Sequence, residues 1–425
     1  MTPDPVEARN VSLVAHASLD QRPGFKMALN EADGRLLLYL AHFWHSGWSI
    51  VDVTDPADPT LETFIEGPAN TVTKNIQVDD GLMITGLERP TEGYGPIDDP
   101  RDPAEPHEEG AYIWDVDTDP LNPQLRGHYE TGGAGTHRNF YTGGEYAYMI
   151  AWPADYEKGI LTVVDVSDPS QPREVGRWWA PGQGPDDEQP ATAAFYGHGP
   201  AYIRDDRAYL AYGRYGPVIL DVSDPTDPTM ISRLAMGDGL GSVLGTHSFI
   251  PLPASDIAVV TTEAISEQSP LAGGEPLNYT ALVDISDERP FGFADDSGSI
   301  GPKFLSTVPL PTPEEHLPYD NYYEKPGRFG PHNLHHPRAE PLRYQSNERL
   351  VMTWFNAGLR IFDIADPLAP TEIGYYVPDD PDERIGTRPS SGLVTHFEDV
   401  VVDHRGYMYC TDPNAGLFVF ESTVL

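Results

Sequence analysis

The chain has 425 residues, with 66 Asp and Glu against 27 Lys and Arg, for a formal net charge of −39. Such a surface repels phosphate backbones and anionic lipid, which excludes nucleic acid and membranes as partners and leaves a small molecule as the expected ligand. A single cysteine, Cys410, excludes an intrachain disulfide framework, and no apolar run is long enough to span a bilayer. The opening MTPDPVEARN lacks the basic and apolar regions of a leader, so a cytoplasmic location is expected, with the acidity serving solubility in a salty cytoplasm.

In chain order, NVSLVAHAS (10–18) reads as a lone strand. One phrase then recurs: SIVDVTDPADPT (49–60), YIWDVDTDPLNPQ (112–124), TVVDVSDPSQPR (162–173), VILDVSDPTDPT (218–229), ALVDISDERP (281–290) and RIFDIADPLAPT (360–371), with a degenerate LFVFEST at 417–423. The β-branched run is a strand. The Asp can hydrogen-bond its own backbone to start a turn, and the prolines fix φ and stop ladder pairing. Two more strands precede each phrase, for example HRNFYT and EYAYMIAW in the third copy.

Four antiparallel strands per unit predict an all-β, seven-bladed β-propeller forming a single domain over 1–425. The blades fall near 20–68, 69–131, 132–180, 195–236, 243–308, 329–378 and 393–425, with the strand at 10–18 closing the last. The I-V-D-V-S-D-P phrases resemble the LVIVD repeat, a family of propeller-forming repeats. This resemblance covers nearly the whole chain and speaks to fold rather than function.

Aligning the units on their second strand (AYMI at 147, AYLA at 208, IAVV at 257, GYMY at 406) places a histidine ten residues ahead in each: His137, His198, His247 and His396. His332, in GPH with a longer following loop, is a fifth. The first two units offer Lys26 or Met27 and Lys74 or Asn75 instead. The strand before the second one is innermost in a propeller, so these histidines are expected to converge at one mouth of the channel. Converging neutral imidazoles suit one transition metal ion, Fe or Cu by preference and Mn or Zn otherwise. No dinucleotide or phosphate-binding motif is present, so no organic cofactor is expected.

Glu263 and Glu398 are candidates to orient the histidines. His42, His45, Lys74, Asn75 and Arg214 are candidates for proton transfer or substrate contact. Trp152, Trp354 and Asn356 occupy positions comparable to Arg214. His107, His128, His316 and His404 show no pattern and read as structural.

One histidine per blade is similar to the arrangement in carotenoid-cleavage oxygenases, which hold Fe(II) on four histidines, and in selenium-binding-type propellers. The first expectation is therefore a metal-dependent oxidoreductase or oxygenase on a small apolar or aromatic substrate. With no carboxylate at the ring positions, a four-histidine site is favoured over two histidines and one carboxylate. A second reading, by resemblance to oligogalacturonate lyases with their His-rich manganese site, is metal-dependent lyase or hydrolase chemistry with His42, His45 or Lys74 as base. A third is a non-catalytic interaction scaffold.

Overall fold

The computed structural model describes residues 5–44, 46–92, 101–188, 196–235, 242–289, 301–338 and 340–425. Two strands open the chain, β1 (Pro5–Arg9) and β2 (Val11–Ala17). Four-stranded meanders follow. The first comprises β3 (Met27–Ala32), β4 (Arg35–His42), β5 (Gly47–Asp52) and β6 (Thr60–Glu66). The next is β7 (Val72–Asp79), β8 (Leu82–Glu88), β9 (Gly110–Asp115) and β10 (Gln124–Tyr129), and then β11 (Gly135–Phe140), β12 (Tyr146–Trp152), β13 (Ile160–Asp165) and β14 (Arg173–Trp178). Two further meanders are β15 (Ala201–Arg204), β16 (Arg207–Tyr212), β17 (Gly216–Asp221), β18 (Thr229–Arg233), and β19 (Thr246–Pro251), β20 (Ile257–Thr262), β21 (Thr280–Asp284), β22 (Lys303–Thr307). The chain ends with β23 (Arg349–Thr353), β24 (Leu359–Asp363), β25 (Thr371–Pro378) and then β26 (Asp399–Val402), β27 (Met408–Asp412), β28 (Gly416–Ser422).

The sheets form a propeller, but not of seven separate blades. Five sheets have four strands, while β7–β10 and β11–β14 merge into one curled eight-stranded sheet. The expected seven-bladed count is corrected by a backbone contact. Gly135 pairs with Glu88, joining β11 to β8, and the Arg89 amide continues the seam to the Ala134 carbonyl at 3.1 Å. Only glycine permits this: Gly135 has φ +94°, and a Cβ there would lie 1.9 Å from the Leu87 carbonyl oxygen.

The N-terminal contribution also differs from the single closing strand expected. β1 pairs with β25 and β2 with β28, so two different sheets take their outer strand from the start of the chain. β1 is anchored by Glu7, whose carboxylate accepts from Arg360 Nη2 at 2.9 Å, both side chains being fully buried. In the unit that β1 completes, the inner segment around His332 is reduced to one isolated bridge, Leu334 to Met352.

The recurrent phrase does locally what its chemistry predicts. The first Asp accepts the backbone amide two residues on: Thr54 on Asp52, Ser167 on Asp165, Ser223 on Asp221 and Ala365 on Asp363, at 2.8–3.0 Å. The third strands are buried Val, Ile, Leu and aromatic residues packed between neighbouring sheets. The inner strands touch their neighbours, β3 against β7 and β26, and β11 against β7 and β15, and they define the channel. No helix among the described residues is long and apolar enough to cross a membrane.

Candidate metal site at the channel mouth

A two-residue phrase positions the ring. In T-K and T-H at 73–74, 136–137, 246–247 and 395–396, the threonine hydroxyl donates to a backbone carbonyl of the preceding unit. Thr73 reaches His42 O (3.0 Å), Thr136 Gly110 O (2.5 Å), Thr246 Gly213 O (2.9 Å) and Thr395 Asp379 O (3.0 Å). In three of these strands the pairing register slips at the next residue, between Val72 and Asn75, Thr136 and Arg138, and Thr246 and Ser248. Such a bulge re-aims the side chain it contains, here Lys74, His137 and His247. Lys74 is thus the second unit's counterpart of the ring histidines.

Four of the five expected histidines form an arc. Ring centroids are 4.6 Å apart for His137 and His198, 5.3 Å for His198 and His247, and 5.0 Å for His247 and His332. His396 stands outside it. The Phe355 ring is sandwiched between His332 (4.5 Å) and His396 (4.6 Å), and Arg328 donates from Nε to His396 Nε2 at 3.4 Å.

At the centre of the arc lies the Glu263 carboxylate. Its Oε2 is 2.9 Å from His198 Nε2 and 3.6 Å from His247 Nε2, and its Oε1 is 3.0 Å from Arg328 Nη1 and 3.8 Å from His332 Nε2. His198, His247 and Glu263 offer ligand atoms within 4.8 Å of one another, the one such group among the described residues. The ring position itself carries no carboxylate; this one comes from the end of the second strand of the fifth unit.

The far sides of the rings are held. His247 Nδ1 is 3.0 Å from the Ser248 hydroxyl, while its Nε2 accepts from Arg138 Nη2 at 3.3 Å, so the Nε2 lone pair is aimed at the guanidinium. His332 Nδ1 lies 3.1 Å from Glu398 Oε2, His396 Nδ1 2.9 Å from Glu398 Oε1, and His137 Nδ1 3.2 Å from Glu88. His137 Nε2 and His198 Nδ1 are buried without a protein partner.

Burial pushes the pKa of His137 and His247 well below the usual imidazole value, aided at His137 by Lys74 and Arg138; His198 and His396 are lowered by the same desolvation. Desolvation would raise Glu263, but the surrounding histidines outweigh it and hold the carboxyl well below its ordinary range. Metal ligation requires neutral imidazoles and an ionised carboxylate.

The site opens into a cavity of about 320 Å³. One wall is apolar: Phe25 stacks on Phe43 at 5.2 Å, and Phe43 meets Trp44 edge-on at 4.8 Å. Lys74 reaches Glu88 at 2.9 Å, and burial lowers its pKa.

The remaining predicted residues are scattered. His42 is turned away from the cavity, its nitrogens 2.7 Å from Pro23 O and Ser49 Oγ. Asn75 is buried beneath, accepting the Asn139 amide at 3.2 Å. Arg214 acts on Tyr196 outside the cavity lining. His45 lies outside the described residues. Lys26 is spent on Asp399 at 2.6 Å. His107, His128, His316 and His404 stand apart from the cavity.

Sequence reasoning missed Glu88, Arg138, Arg328 and Phe355. Glu88 and Phe355 did carry a signal: each is the seventh residue of its second strand counted from Leu82 and Arg349, as Glu263 is from Ile257. Arg138 carried none, because only the bulge turns two successive residues toward one cavity.

The comparisons with known proteins agree on architecture. No curated protein matches the chain. Among solved structures, a hypothetical selenium-binding protein from Sulfolobus tokodaii aligns with TM-score 0.54 and 13% identity, over 88% of this chain and 82% of that one. The Cps50 (Swd1) β-propeller domain of Myceliophteria thermophila aligns with TM-score 0.53 and 11% identity, over 98% and 100%. At such identities the likeness is one of fold alone. The LVIVD repeat model matches residues 135–179, 202–235 and 353–377. The chain is thus an all-β propeller, three segments of which match the LVIVD repeat.

Proposed function

We propose that the cavity is a metal-dependent active site with His198, His247 and Glu263 as the core ligand set, and that it performs oxidative chemistry on a small apolar or aromatic molecule. The observation that carries this is the convergence of two imidazole nitrogens and one buried carboxylate within 4.8 Å. Two histidines and one carboxylate with further positions open is the donor set of non-haem iron oxygenases, so Fe is favoured, with Cu, Mn or Zn as competitors on the same donors. Such an ion, when bound, supplies Lewis acidity and, if redox-active, one-electron chemistry. The chain's own residues hold the ligands and shape the space. Ser248 fixes His247, Glu398 faces His332, Glu88 faces His137, and the Phe25, Phe43 and Trp44 wall excludes water from one side of the site.

Lyase or hydrolase chemistry is the second reading. It is supported by Lys74, a buried amine whose lowered pKa suits a general base.

The test is metal titration of untagged protein under anaerobic conditions with Fe(II), Cu(II), Mn(II) and Zn(II), read by dialysis and mass spectrometry. About one ion per chain is expected, falling below about 0.2 in His247→Gln and Glu263→Gln, while Ser248→Ala weakens affinity roughly tenfold with the fold intact by circular dichroism. Ratios below 0.2 for all four ions in the unmodified protein would leave the scaffold reading. Oxygen uptake by the loaded protein with aromatic substrates then separates oxidative from Lewis-acid chemistry.

A further inference from the structure

Arg138 is a buried cation of the cavity lining that no carboxylate answers among the described residues. Lys74 is paired with Glu88, and Arg328 with both Glu263 and Glu398. Those three carboxylates are further engaged by histidines: Glu88 by His137, Glu263 by His198, and Glu398 by His332 and His396. Arg138 is only 2% exposed and makes its single side-chain hydrogen bond to His247 Nε2; its Nε and Nη1 are buried without a protein partner. A buried guanidinium carries five N–H donors and a charge, and leaving both unmatched is costly. The bulge at His137 delivers it here, so that two consecutive side chains line the cavity where regular alternation would have sent one away.

The surroundings say what would match it. The Phe25 ring lies 5.8 Å from the guanidinium carbon and continues into Phe43 and Trp44, so the cation sits at the foot of an aromatic wall. The volume of about 320 Å³ is at the small end for ligand sites. We propose that Arg138 receives the carboxylate of a small aromatic or apolar acid, whose apolar body lies on the Phe25, Phe43 and Trp44 wall. This names the substrate class of the site proposed above and rests on that reading of the cavity as the ligand-binding space, though not on the metal. The unpartnered N–H groups offer a carboxylate charge-assisted hydrogen bonds. It also reconciles an anionic ligand with a chain of charge −39: the local cation is sheltered in the channel mouth, where a single small anion can reach it and a polyanion cannot.

The experiment is calorimetric binding of phenylacetate against its neutral isostere phenylacetamide, on chelator-treated protein and on metal-loaded protein of measured metal content. The acid is expected to bind about 10–100-fold more tightly than the amide in both forms, with the preference shrinking as salt is raised. Arg138→Gln should abolish that preference while keeping amide affinity, and Arg138→Lys should restore part of it; thermal unfolding establishes that both variants fold. Equal affinity for acid and amide, no binding of either, or an acid preference that survives in Arg138→Gln overturns the proposal. Metal content in the same samples reports the fate of the metal site separately.

Discussion

At the outer rim of each unit the turns satisfy themselves. Asp165 takes the amide of Ser167 and Asp221 that of Ser223, two positions along the chain, and the neighbouring prolines prevent anything else from pairing there. At the channel mouth many of the partners are distant in sequence. Thr136 reaches Gly110, His137 reaches Glu88, His198 reaches Glu263 and Arg328 reaches both Glu263 and Glu398 across 65 and 70 residues. The rim is a local code copied around the ring, whereas the mouth is a set of different residues that mean something only once the ring has formed. The lesson is that the repeat phrase specifies architecture, and function is written where the copies diverge.

That contrast can be broken most strongly at a long-range buried pair. Glu7→Ala leaves Arg360 without its fully buried partner, and the expected loss is about 3–5 kcal/mol in urea unfolding. A loss under about 1 kcal/mol would mean that the pair is no more important than a surface ion pair.

An intermediate effect is expected from pH. His335 is buried, with Nε2 2.7 Å from Tyr344 O and Nδ1 accepting the Val402 amide, and burial lowers its pKa from 6.5 to about 3. The unfolded chain then binds the proton first, so stability is full above pH 6.5 and falls as the pH drops toward 3. His137, His198, His247, His336 and His396 shift in the same direction and add to the slope. Above pH 4.5, the ordinary glutamate value, histidines dominate the loss. The urea midpoint should decline between pH 6.5 and 4.5, less steeply in His335→Asn; a flat midpoint over that range contradicts the burial argument.

The smallest effect is expected at the rim. Asp221→Ala removes only the solvent-side contacts to the Ser223 amide and hydroxyl and to Arg207, and the melting temperature should fall by only about 1–2 °C. A drop as large as that of Glu7→Ala would erase the distinction between a local turn contact and a long-range buried pair.

Legibility in the sequence follows the same division. The propeller, its strands and the Asp turns could be read because each depends on residues within a few positions. Four of the ring histidines could be aligned because each lies ten residues ahead of its unit's second strand. What could not be read are the interactions made between units. The seam that fuses two units depends on the φ of Gly135 and its approach to Leu87. His396 was expected beside His332, and Phe355 separates them. Glu263 was seen as an orienting residue, but its strand end places it at the centre of the arc. Arg138 looked like an ordinary strand residue, and only the register slip turns it into the cavity.

The two N-terminal strands have a consequence for the nascent chain. Pro5 pairs with Pro378 and Val11 with Ser422, so the residues that emerge early during synthesis must wait until nearly the whole chain has been made before they find their partners. The intervening units can fold on local contacts as they appear, but the ring cannot shut, and β2 has no sheet to join until β28 exists. Any premature stop before residue 371 removes the partners of both strands at once, leaving two unpaired edges on an incomplete ring. Glu7 can therefore be buried against Arg360 only after β25 has been made, and the second edge is sealed only once β28 follows.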